Sequence, residues 1–136
     1  MTPLEQEIIK ALRDTERGKK FVKNWEFKRG DWFFNSEAEG DDGINIIGYK
    51  SQADNINRNI KSFCFLIPLP SEPQMLDAIE KAGYYNLESI CYNKSSRYDF
   101  FIRGGTPQKV ICKKGKTRLE AIQRAFLAVV LGIKEK

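Results

Sequence analysis

The 136-residue chain contains no histidine. That removes the base of the Ser-His and Cys-His nucleophile pairs and the side chain that most readily exchanges a proton near neutral pH. Acid–base catalysis would fall to a carboxylate or lysine with a strongly shifted pKa, so neither catalytic residues nor a cofactor is expected. Cysteine is scarce as well. Cys64, Cys91 and Cys112 lie far apart without a Cys-x-x-Cys pair, and with histidine missing this excludes a structural zinc site. Each cysteine falls in a strand-like segment and reads as a buried, reduced thiol. Glu37, Glu39, Asp41 and Asp42 are clustered, but they lack the regular ligand alternation of a calcium loop and read as a solvated acidic loop; no metal is expected. No apolar run approaches bilayer-spanning length, and the opening Met-Thr-Pro-Leu-Glu-Gln-Glu is unlike a signal peptide. A cytosolic protein that makes no use of a membrane is therefore expected.

What the chain does contain fits a globular protein: 41% hydrophobic and 30% charged residues, enough to build one proper core. The expectation is a single domain over residues 1–136. It would comprise an N-terminal helix (1–18), a small β segment (19–50), a polar loop (51–61) and an α+β core (62–136). The net charge of +5 is unevenly spread. Residues 97–136 hold ten basic groups against three acidic ones, whereas the preceding 96 residues hold thirteen basic and fifteen acidic. An anionic partner would be met at the C-terminal end.

Three capping boxes mark helix starts. Thr2-Pro3-Leu4-Glu5 opens a short charged helix with an apolar stripe at Leu4, Ile8, Ala11 and Leu12 and a stop at Gly18. Ser71-Glu72-Pro73-Gln74 opens a second, to about Ala82, with Met75, Leu76 and Ile79 buried. Thr117-Arg118-Leu119-Glu120 opens the third, where Leu119, Ile122, Ala125, Phe126, Val129, Val130 and Ile133 share one face. Trp25, Phe27, Trp32, Phe33 and Phe34 read as strands around a turn at Lys28–Asp31, followed by strands over 44–49 and 63–67. The Asn-rich stretch 50–61 reads as a mobile loop. Strands over 87–92, 98–103 and 109–113 follow in succession, joined by turn-rich connections. The architecture expected for residues 72–133 is thus α-β-β-β-α, an antiparallel sheet packed by helices in an α+β protein.

In period two, Tyr98, Phe100 and Ile102 share one face of their strand, and Asp99, Phe101 and Arg103 the other. Lys113, Lys114, Lys116 and Arg118 surround the start of the last helix, where exposed N–H groups favour an anion. With Arg97 and Arg103 they form the candidate anion, nucleic-acid or partner contact. Gly115-Lys116-Thr117 matches the end of a phosphate-binding loop, but Val110 stands where that loop needs glycine. Tyr84, Tyr85 and Tyr98 are candidate stacking residues for a base or peptide, and aromatic side chains flanked by arginines on a sheet suit single strands. Leu127 and Leu131 form a second apolar stripe on the last helix, to be covered by the first helix or by a second copy in a homodimer.

Residues 66–133 resemble the small phage and prophage proteins grouped as phage ABA-sandwich domains. The resemblance rests on Ile-Pro-Leu-Pro-Ser-Glu-Pro-Gln-Met-Leu-Asp at 67–77, the paired strands, and Thr-Arg-Leu-Glu-Ala-Ile-Gln-Arg-Ala-Phe at 117–126, with Phe-Lys-Arg-Gly-Asp-Trp at 27–32 similar to the β segment often found upstream. It implies a non-enzymatic accessory factor in an infected bacterial cell, working by binding: inhibiting a host defence protein or sequestering a signalling nucleotide. The α-β-β-β-α order also resembles a double-stranded-RNA-binding domain. Here Leu119 stands where that family has lysine, Phe126 replaces a small residue, and the histidine-bearing loop is missing. A nucleic-acid-binding module using the basic end is the alternative this second resemblance implies, without groove-spanning duplex recognition.

Overall fold

A computed structural model describes residues 2–35, 43–60, 66–86, 91–93 and 97–134. The Thr2 hydroxyl accepts the Glu5 N–H at 3.2 Å and opens α1 (Pro3–Asp14), which buries Ile8, Ile9, Ala11 and Leu12. The chain does not stop at Gly18. Thr15 breaks the helix, with its hydroxyl donating to the Ala11 carbonyl (2.6 Å) and accepting from Gly18 N–H (2.9 Å). One side chain thereby ends α1 and caps α2 (Glu16–Asn24). Gly18 lies in the first turn of α2, where a Cβ would sit on the Ala11 carbonyl oxygen. Its role is close approach between two helices rather than termination.

The turn over 28–31 forms as its sequence predicts, with Asp31 N–H donating to the Lys28 carbonyl and Lys28 N–H to the Asp31 carboxylate. The aromatics before it form no strand. The Phe27 backbone is held instead by the Asn57 amide, which accepts the Phe27 N–H at 2.8 Å and donates to its carbonyl at 2.9 Å. β1 (Trp32–Asn35) pairs antiparallel with both β2 (Ile44–Ile46) and β3 (Leu66–Leu69). The order is β2-β1-β3, with Phe33 opposite Asn45 on one side and Pro68 on the other. Pro68 is tolerated inside β3 because this is an edge strand.

Residues 50–60, expected as a polar loop, are helical: α3 (Lys50–Asn55) runs into a π-helical turn, Ile56–Ile60. Ala53 and Ile56 are buried and belong to a core cluster with Phe27, Phe33, Ile47 and Leu66. Two apolar side chains three residues apart anchored a segment that its polar composition assigned to solvent.

α4 (Glu72–Lys81) starts and ends as its capping box and Gly83 predict. Most of the first expected strand, residues 87–90, lies outside the described residues. β4 (Tyr84–Asn86) and β5 (Cys91–Asn93) both pair with β6 (Arg97–Gly104), at opposite ends of it. β7 (Lys109–Gly115) takes the other edge of β6 along its whole paired length. Among the described residues the sheet is antiparallel, with β4 and β5 along one edge of β6 and β7 along the other. α5 (Arg118–Val129) is capped by Thr117, whose hydroxyl accepts Glu120 N–H at 3.1 Å. It packs on α4, β6 and β7, with Ala121, Ile122, Ala125 and Phe126 fully buried. Leu119, placed by spacing on the buried stripe, is 41% exposed. It sits in the first turn, ahead of the point where the helix is buried on a broad face.

The protein is α+β, and the chain divides into two compact units, residues 1–71 and 72–136. The second coincides with the helix-flanked sheet. Among the described residues no helix is long and apolar enough to cross a membrane.

Candidate binding surface on the C-terminal sheet

Alternation along β6 creates two unlike faces. Phe100 and Ile102 are wholly buried, and this is the face toward the helices. There the strand end and helix start come so close that a Cβ on Gly115 would lie 2.5 Å from the Ala121 nitrogen. The opposite face carries Asp99, Phe101 and Arg103, and pairing extends it across the sheet. Tyr85, Arg103 and Val110 form one cross-strand row; Phe101 faces Cys112 in the next, and Asp99 faces Lys114 in the third. Tyr85 is 63% exposed and Val110 52%. Arg103, Cys112 and Lys114 are exposed, and Phe101 and Asp99 half-buried.

The six basic candidates do not converge on one helix end. β7 runs two residues past its expected limit, so its alternation carries through the lysine pair. Lys113 stands opposite Phe100 on the helix side and is half-buried, whereas Lys114 lies on the open face opposite Asp99, two rows from Arg103. Lys116 is exposed ahead of the cap. Arg118 pairs through Nε with the Glu72 carboxylate, joining the first turns of α5 and α4. Arg97 begins β6, and its side chain lies outside the described residues, as do the side chains of Cys91 and Tyr92. The open face thus holds Arg103 and Lys114, with an anion site around the α5 N-terminus reduced to Lys116 by the Arg118 pairing.

The stacking candidates also separate. Tyr85 stands out on the open face. Tyr84 points the other way, lying over the Gly104–Gly105 backbone, where a Cβ on Gly105 would come 3.3 Å from its hydroxyl. Tyr98, opposite Gly115, is half-buried on the helix side. Phe101 completes the aromatic pair of the open face. Leu127 and Leu131, expected as surplus apolar surface, are 6% and 2% exposed within one copy of the chain.

No group of three or more His, Cys, Asp or Glu that could hold a metal occurs among the described residues. The acidic cluster at 37–42 and Cys64 lie outside the described residues. Cys112 is exposed rather than buried, the outward position of its alternate on β7. Partial desolvation in the sheet, then the Asp99 carboxylate, push its thiol above the ordinary range, against the smaller opposing pull of Lys114 and Lys113. At neutral pH it stays a thiol, a poor nucleophile.

In comparisons with known proteins, no family model matches the chain, and no curated protein and no solved structure matches it significantly.

Proposed function

We propose that the protein is a non-enzymatic binding module that takes an anionic ligand on the open face of its C-terminal sheet. The observation that carries this reading is the exposure of Tyr85, Arg103, Val110 and Lys114 on one sheet face. That face belongs to a unit with twelve basic and seven acidic residues. A positive field on a face left bare by the helices raises the local concentration of anions and speeds their capture. The biological frame is the one the phage resemblance implies: an accessory factor that occupies or withholds a nucleic acid or signalling nucleotide in a bacterial host.

A second reading, docking onto a host protein, draws on a different observation. Trp32 and Ile46 stand opposite each other in register on the N-terminal sheet, and each is 48% exposed. Exposed aromatic and aliphatic neighbours are the composition of protein contacts.

Titration with heparin, labelled nucleic acids and nucleotides at low ionic strength tests the first reading. Affinity should fall log-linearly with salt. Absence of binding to every polyanion at about 50 mM salt, with a host protein recovered through a Trp32-dependent pull-down, would replace it with the second.

A further inference from the structure

Building on the anion-binding reading, we propose that the ligand of this face is single-stranded nucleic acid. Tyr85 and Phe101 would serve as stacking platforms, and Arg103 and Lys114 as phosphate contacts.

Tyr85 and Arg103 are directly paired across β4 and β6, and Phe101 precedes Arg103 by two residues on the same face. Tyr85 and Phe101 are therefore diagonal neighbours, about 7 Å apart at the backbone. Two aromatic side chains at this separation on one rigid face can each take a base from a flexible strand. A duplex presents no free base face to either. Arg103 lies between the ring of Tyr85 and the exposed aliphatic Val110, in the middle of a three-residue row. Its planar guanidinium, with several donors, suits the phosphate between two stacked bases. Lys114 sits two rows further along β7, past Cys112, where the backbone of the same strand would continue.

Three features argue against other occupants of this face. Its polar content is cationic at Arg103 and Lys114, with Asp99 its one acidic member among the described residues, half-buried in the row of Lys114. A protein contact of ordinary size would want a broad apolar centre, whereas Val110 is the only exposed large aliphatic side chain found here among the described residues. Rigid duplex recognition through a basic helix start would use the α5 N-terminus, where Arg118 is already engaged with Glu72.

The test uses the full chain and fluorescein-labelled single strands of about twelve nucleotides, within the ~4–16 that single-strand sites on sheets cover. A duplex of the same sequence and heparin serve as comparison ligands. Anisotropy is read from about 50 to about 200 mM salt. The expected result is tighter binding of the single strand than of the duplex. Tyr85→Ala should weaken it roughly tenfold, and Tyr85→Phe, which keeps the ring, should restore most of the loss. Arg103→Gln and Lys114→Gln should each lower the single-strand salt slope by about 0.7, whereas Lys109→Gln, off this face, should leave it alone. Circular dichroism of each variant guards against unfolding; all these side chains are exposed, so folding should be retained. If duplex and single strand bind equally and Tyr85→Ala changes neither, the single-strand inference is overturned while anion binding stands. If neither nucleic acid nor heparin binds at the lowest salt, both are overturned.

Discussion

The two units of the chain are nearly equal in length yet opposite in charge economy and in the way their sheets are assembled. Residues 1–71 carry eleven basic and eleven acidic groups, and residues 72–136 carry twelve and seven. The neutral unit pairs strands distant in sequence. Trp32 faces Leu69, and the Phe27 backbone is closed by Asn57, 30 residues away. The basic unit is a meander in which β6 and β7 are joined by a short turn and α5 is capped locally by Thr117. The difference separates two tasks. One region spends its polar side chains on holding backbone together, while the other leaves several of them in solvent beside exposed aromatics, where a ligand can use them.

Substitutions that probe each unit in the same currency test that contrast. Phe27→Ala and Phe126→Ala, at side chains 2% and 0% exposed, should each cost about 3–5 kcal/mol. Amide exchange should show the first as lost protection in β1 and β3, and the second in α5. Asn57→Ala should come next, at about 2–3 kcal/mol in denaturant unfolding, because it strips partners from a backbone N–H and C=O in one step. Thr117→Ala, which removes a local cap, should cost only about 1 kcal/mol. A larger loss at Thr117 than at Asn57 would break the contrast between distant and local polar bonds. Arg118→Gln is expected to change stability by no more than ~0.5 kcal/mol, since its pairing with Glu72 is half-exposed and screened. The smallest effect should be chemical. At pH 7 Cys112 should label slowly with iodoacetamide despite its exposure, and the rate should rise as pH climbs through a thiol pKa held above its ordinary value. Fast labelling at pH 7, mapped by mass spectrometry to the Cys112 peptide, would contradict that shift.

Legibility in the sequence follows the same division. α4, α5 and β6 are announced by signals a few residues long: a cap, a glycine after the last turn, alternation at Phe100 and Ile102. Their partners are nearby in the chain, so local pattern and tertiary structure agree. The N-terminal unit hides its logic. Gly18 has the composition of a stop, and only the position of the Ala11 carbonyl makes it a packing residue. The stretch 50–60 looks like a solvated loop because its two structural duties, burying Ala53 and Ile56 and presenting Asn57, depend on residues 20 to 30 positions earlier. The three-residue spacing of Ala53 and Ile56 is the one local signal. At the candidate surface, the basic residues were identified by composition, but their partition was set by register. Two extra residues in β7 decide that Lys113 and Lys114 point to opposite faces, and the Glu72 partner of Arg118 lies 46 residues away. Spacing could name Tyr84 and Tyr85 but not choose between them; pairing with Gly104 and Arg103 does.

The Asn57 amide also has a consequence in time. Its two bonds to Phe27 span 30 residues, so neither can form until the intervening chain has been gathered, and loop closure is paid before the bonds return anything. Hairpin β6–β7 has no such wait. The Phe27 N–H is thus a clock for its unit: in pulse-labelling exchange during refolding it should become protected after the amides of β6 and β7, marking the moment when helices and sheet of the N-terminal half have closed on one another.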